Sequence, residues 1–154
     1  MLFLLFRIGK DRYGLEISRI VEVLPALPLK KLPRAERGVA GILDYHGELV
    51  PVLDLSELCG GQCSPDILST RIVLVRYPLD SERSHILGLR AERATETVRL
   101  EANSFQDGGI ELPGAPYLGP VARDAEGLIQ RVEVEGLLSK ELRALLFRGW
   151  EAAA

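Results

Sequence analysis

Gly41-Ile42-Leu43-Asp44-Tyr45-His46-Gly47-Glu48-Leu49-Val50-Pro51-Val52-Leu53-Asp54-Leu55 reads as a strand, a tight turn at Gly47, a second strand interrupted by Pro51, and a short helical start at Ser56. Gly47 follows the polar Asp44, Tyr45 and His46, and a residue free to take positive φ there lets one strand turn back on the next. Proline has no N–H to give to a sheet ladder, so the second strand is expected at a sheet edge or opened by a bulge at Pro51. Val50, Val52, Leu53 and Leu55 supply apolar side chains to both faces.

Outward from this hairpin the dominant period is two. Tyr13, Leu15 and Ile17 alternate with Gly14, Glu16 and Ser18, as in a strand with one buried face. Ile72-Val73-Leu74-Val75 is continuous, as in a strand buried on both sides. Leu128, Gln130, Val132 and Val134 alternate with Ile129, Arg131 and Glu133 as a further strand. Turn residues punctuate these at 9–12, 78–82 and 124–127. Short strands with frequent turns predict an all-β barrel or sandwich. One helix stands out: Ser139 caps it, and Leu138, Leu142, Leu145 and Leu146 form an apolar stripe that closes the core. Shorter helices are expected at 33–39 and 56–58, and a long Gly- and Pro-rich loop at 101–116.

With 154 residues, 47% of them hydrophobic, the chain can bury a core as one domain or two intimate lobes. A net charge of −3 argues against nucleic acid, whose binders carry a basic face. Lys30, Lys31, Arg34 and Arg37 form the one local basic cluster, read as a solvated turn because no aromatics interleave it. Cys59 and Cys63 are expected as free thiols in a loop, and His46 and His85 lie too far away in sequence to complete a metal set. A trio of His46, Asp54 and Cys59 lacks the electropositive setting a thiolate nucleophile needs. No catalytic residue, metal or cofactor is assigned. Met1 to Phe6 is apolar but too short for a signal peptide, and nothing approaches the ~20 apolar residues of a membrane span. The reading is a soluble cytoplasmic protein.

The hairpin stretch resembles the central signature of the CheW family, adaptors that couple chemoreceptors to a histidine kinase. There a glycine, a few apolar residues, an Arg-Gly pair and a Pro-Val-x-Asp-Leu run follow in this order. Phe3 to Phe6, Tyr13 to Ile17 and Ile20-Val21-Glu22-Val23 are similar to the family's opening strands and its apolar-x-Glu-apolar element. Ile86 to Glu92 resembles its Gly-apolar strand, and Tyr117 to Val121, Gly127 to Ile129 and Leu137-Leu138 its closing hairpin and helix. The resemblance implies two small five-stranded SH3-like barrels packed over a shared core, with a C-terminal helix. It implies a single domain over residues 1–150 and a tail at 151–154. Gly41 to Leu55 would fall in one lobe and Ile72 to Leu100 in the other.

The resemblance also implies function: a non-enzymatic adaptor joining a chemoreceptor cytoplasmic tip to the regulatory domain of a CheA-like kinase, in the cytoplasm and recruited to receptor arrays at the inner membrane. Neither nucleic acid nor membrane insertion is implied. On this basis Ile20, Glu22, Gly41, His46, Ala91 and Ala94 are the receptor-binding candidates, Leu29 and Lys30 the kinase-binding ones, and Gly47 the turn that shapes the groove. Departures cluster at the receptor groove. His46 replaces an Arg, Asp44 replaces an Asn, and Ala91 and Ala94 stand for valines with Arg90 and Arg93 interleaved. Pro116 to Ala122 is similar to the surface-sensing, Wsp-type branch, which controls a diguanylate cyclase. A small nucleic-acid-binding β-barrel is the alternative reading.

Overall fold

The computed structural model describes residues 1–108 and 114–147. The 151–154 tail and the boundary at residue 150 lie outside them, as does part of the loop expected at 101–116. The described part of that loop holds one short 3-10 turn, Ala102–Ser104. Nine strands dominate: β1 (Leu2–Ile8), β2 (Asp11–Glu16), β3 (Ile20–Pro25), β4 (Val39–Tyr45), β5 (Glu48–Asp54), β6 (Arg71–Pro78), β7 (Ser84–Arg99), β8 (Leu118–Asp124) and β9 (Gly127–Val132). Two short helices, α1 (Leu55–Leu58) and α2 (Lys140–Leu146), and 3-10 turns at Ile17–Arg19, Ala102–Ser104 and Val134–Gly136 complete the described elements. The fold is all-β.

The strands form two groups of five that share β7. In the first, β3 pairs β6, β6 pairs the start of β7, and β5 joins that same stretch of β7 in parallel while pairing β4 on its other side. In the second, the end of β7 pairs β1, followed by β2, β9 and β8, with β2 and β9 parallel. Hence Ile72 to Leu100 is not a lobe of its own. β7 is long enough to serve both groups, so Ile72 to Arg90 joins the signature hairpin and only Glu92 to Arg99 joins β1.

Period-two alternation distributes the apolar side chains over three cores. Leu4 and Phe6 of β1, Leu53 of β5, Val73 and Val75 of β6, and Leu87 and Leu89 of β7 meet in a central core between the groups. The intervening residues point the other way. Phe3 and Leu5 pack inside the second group, and Val50, Val52, Ile72 and Leu74 inside the first. This is why β1, β5 and β6 read as near-continuous apolar runs: each has a core on both faces.

Several expectations change. β5 has a partner on both sides from Val52 onward, so edge character is limited to Glu48–Pro51, just ahead of the first β7 pairing at Gly88. The chain at 33–38 forms two turns in place of a helix, broken by Pro33, by Arg34 at φ 60° and by Gly38 at φ 98°, and Val39 already opens β4. On β9 the buried face carries Ile129, while Leu128 is 55% exposed. In α2, Ser139 caps Leu142 N–H at 3.1 Å and Leu142 is buried, but Leu145 is 59% exposed and lies off the inward stripe.

Candidate functional site

The tip of the β4–β5 hairpin is a two-residue turn. His46 at φ 52° and Gly47 at φ 85° both occupy the left-handed region between the paired residues Tyr45 and Glu48, the arrangement of a type I′ turn. Asp44 fixes it, its Oδ1 accepting from the Gly47 N–H at 2.9 Å. A carboxylate thus does what the more usual Asn side chain would do at this place. The His46 ring lies exposed against Tyr45, with centroids 4.5 Å apart.

Tyr45 reaches across to β3. Partial desolvation, together with the negative charge of the nearby Glu22 carboxylate, pushes its phenol up from the ordinary range. Glu22 is exposed opposite Leu74, and Ile20, half-buried against the central core, is paired with Val75. Two receptor candidates are therefore neighbours, Glu22 on β3 and His46 through Tyr45, while Ile20 faces the central core on the other side of β3. Tyr45 was not among the candidates. Its position flanking the turn, on the strand facing Glu48, was the signal that could have found it.

The other three receptor candidates do not join them. Gly41 is buried at the far end of β4, where an added Cβ would stand 2.5 Å from the Lys30 carbonyl oxygen and 3.2 Å from the Leu29 Cβ. It belongs with the kinase candidates, whose backbone is bridged to β4 by Lys30 N–H to Ile42 O at 2.9 Å and Ile42 N–H to Lys30 O at 2.8 Å. Ala91 and Ala94, at 2% and 3% exposure, are packed in the central core and offer no surface to a partner. Leu29 is half-buried against the inner core of the first group, and Lys30 is exposed.

Asp54 is a structural carboxylate. Only 1% exposed, it accepts from Glu57 N–H at 3.2 Å as the cap of α1, and from Ser64 N–H and Oγ at 2.8 and 2.9 Å. His46 sits at the opposite end of β5, so the His46–Asp54–Cys59 trio is not assembled. Burial pushes the Cys59 thiol up, only partly offset by the Tyr117 hydroxyl 3.4 Å away. Cys59 and Cys63 are both free. Among the described residues no cluster of three His, Cys, Asp or Glu side chains could hold a metal ion. No helix among them is long and apolar enough to cross a membrane. Of the basic cluster, Lys30, Lys31, Arg34 and Arg37 are exposed, and Arg37 donates to the Gly60 and Gly61 carbonyls at 3.0 and 2.7 Å.

The CheW-like domain family model matches residues 2–142. This chain belongs to the CheW-like domain family. Curated relatives of this CheW-like domain include the chemotaxis protein CheW of Helicobacter pylori, 25% identical over 140 residues, covering 90% of this chain and 82% of that protein. The chemotaxis protein CheW of Klebsiella aerogenes is 21% identical over 147 residues, covering 94% and 85%. Protein FrzA of Myxococcus xanthus is 42% identical over 53 residues, about a third of each chain. The crystal structure of the scaffolding protein CheW from Thermoanaerobacter tengcongensis superposes with a TM-score of 0.77 at 20% identity, covering 90% of this chain and 87% of that one. That likeness establishes the CheW-like fold, and the shared β7 is what holds its two strand groups together.

Proposed function

We propose that this CheW-like domain is a non-enzymatic adaptor that couples the cytoplasmic tip of a chemoreceptor to a CheA-like histidine kinase in chemotaxis-type signalling. The observation that carries the reading is the layout of β4. Its turn end gathers Glu22, Tyr45 and His46, while Gly41 and Ile42 in its first half pack against Leu29 and Lys30. Ile42 precedes His46 by four residues, so at about 3.3 Å per residue the two surfaces lie about 13 Å apart along the strand. Two faces on one rigid element link two partners' conformational equilibria without any chemistry.

The turn end receives the receptor tip, in a helix-in-groove mode. The Leu29–Lys30 end meets the kinase's regulatory domain. The two strand groups each act as an SH3-like barrel within a single domain over residues 1–150. The protein works in the cytoplasm, recruited to receptor arrays at the inner membrane, and it inserts no segment into the bilayer. A nucleic-acid-binding barrel is disfavoured. Tyr77 and Tyr117 are buried, and Tyr45 stands beside the negative charge of Glu22, so a basic face of exposed aromatics that stacks bases is not supplied by these residues.

A binding assay between the purified protein and the regulatory domain of its cognate kinase tests the reading, with no nucleotide or metal added. Leu29→Asp is expected to weaken the complex, because a carboxylate forced into an apolar contact loses its hydration. A folded Leu29→Asp protein that binds normally would remove this end of β4 from the interface, and an unfolded one would make Leu29 a core residue.

A further inference from the structure

The pairing of β1 with β7 breaks between Leu5 and Arg7. Leu5 pairs with Glu96 and Arg7 with Glu92, so Arg93, Ala94 and Thr95 stand opposite Phe6 alone. Arg93 takes φ 52° there, a backbone conformation that residues other than glycine adopt uncommonly and that often accompanies function. The break opens a cleft of about 250 Å³, lined among others by Arg7, Arg12, Arg93, Ser69, Thr95 and Glu96.

The charges in this cleft are unevenly committed. Arg12 is fixed by paired hydrogen bonds to Asp124 at 2.7 and 2.8 Å, with Glu126 at 3.9 Å, so its charge is balanced. Arg7 donates only a long bond of 3.4 Å to the Lys10 carbonyl. Among the described residues neither Arg7 nor Arg93 makes an ion pair. Glu96 is the one carboxylate on the cleft wall. Two uncommitted guanidiniums and two hydroxyl-bearing side chains around one concavity make a donor-rich setting, suited to a compact multivalent oxyanion.

We propose that this cleft binds a small phosphate-bearing anion. The guanidinium forks of Arg7 and Arg93 supply the charge-assisted hydrogen bonds, the Ser69 and Thr95 hydroxyls the neutral ones, and Arg12 a fixed edge. Ser69 leads into β6 of the first strand group, whereas Arg7 and Arg12 belong to β1 and β2 of the second. The bound anion therefore bridges the two groups at their seam. Because it binds only the folded chain, it stabilises the fold increasingly, and logarithmically above its Kd, as its concentration rises. The site uses none of the residues assigned to the two partner surfaces and does not depend on the adaptor reading.

The test is calorimetric titration and thermal melting of the full chain with inorganic phosphate, against sodium chloride at matched ionic strength. Phosphate is expected to raise Tm where chloride does not. Arg7→Gln and Arg93→Gln should each weaken binding about tenfold, as loss of a charge-assisted contact does. Glu96→Gln should strengthen it several-fold by removing the repulsive carboxylate. Arg76→Gln, an exposed cation on β6, should leave it unchanged. Equal responses to phosphate and chloride would overturn the proposal, as would a phosphate response that survives in the Arg7→Gln, Arg93→Gln double variant. So would the same weakening in Arg76→Gln, which would mark a general effect of surface charge.

Discussion

The Tyr45 phenol at the tip of the β4–β5 hairpin lies within the field of the Glu22 carboxylate on β3. Glu22 is exposed, an arrangement suited to presenting a carboxylate to a partner. Glu22→Gln is expected to lower affinity for a soluble receptor-tip fragment, and Tyr45→Phe to do so less. Stability should change little in either variant, because the interaction is screened by solvent. Titration with the fragment, alongside thermal melting, separates the effects. Lost stability with undiminished affinity would make the contact purely structural.

Gly41 and Gly47 are required for different reasons, and alanine should tell them apart. At Gly41 the new Cβ would be forced against the Lys30 carbonyl at 2.5 Å, disturbing the two bonds between Lys30 and Ile42, with a cost of about 2–3 kcal/mol. At Gly47 nothing lies within 4 Å of the added atom, and the cost is the positive φ alone, about 1 kcal/mol. Urea unfolding midpoints rank the two. A larger loss at Gly47 than at Gly41 would contradict the packing described for β4.

Asp54 holds α1 and the following loop through three hydrogen bonds. Asp54→Ala removes a helix cap and leaves the Ser64 N–H buried without its acceptor, a combined loss of about 2–4 kcal/mol. Amide exchange should accelerate first at Glu57 and Ser64. Uniform acceleration across β1 and β9 instead would assign Asp54 a global rather than local role.

The Arg12–Asp124 pair gives the protein a defined acid sensitivity. The Arg12 guanidinium pulls the Asp124 carboxyl from 3.8 to about 2, helped by the Glu126 and Gly127 backbone N–H groups and opposed by partial desolvation. The folded value lies below the unfolded one. The contribution to stability is therefore complete above about pH 4 and is lost as pH falls through about 2. The pair is partly exposed, which limits it to about 1 kcal/mol. The Tm gap between wild type and Asp124→Asn should be widest near neutrality and close between pH 4 and 2. A gap that is constant with pH would show that the ionised pair contributes nothing.

What could be read from the residues was what the residues decide locally. The turn at Gly47, the doubly buried β6 and the Ser139 cap each follow from side chains within a few positions of one another. The parallel pairings of β2 with β9 and of β5 with β7 leave no such trace, because their partners are distant in sequence. The dual membership of β7 was missed for the same reason. At the candidate site, Glu22 was legible as part of a motif. Its partner Tyr45 became visible only when β3 and the hairpin were brought together. The family position of Gly41 points to the receptor groove, but a glycine's place in the sequence does not say which backbone approaches it, here that of Lys30. Ala91 and Ala94 rest on the resemblance alone, which does not show that these positions of β7 face the core.

The parallel pairing of β2 with β9 has a bearing on how the chain is made. Synthesis runs from the N-terminus, and the first strand group draws on residues 20–91 alone. It can be completed while the remainder is still on the ribosome. The second group cannot, because β1 and β2 emerge first and must wait more than a hundred residues for β9. In that interval Leu15 and Phe6 rest against a central core that lacks Val132, Val134 and Leu142. Non-local closure of this kind is intrinsically slow. The nascent chain thus carries an exposed apolar seam, and the window in which it needs protection closes only with the last strands.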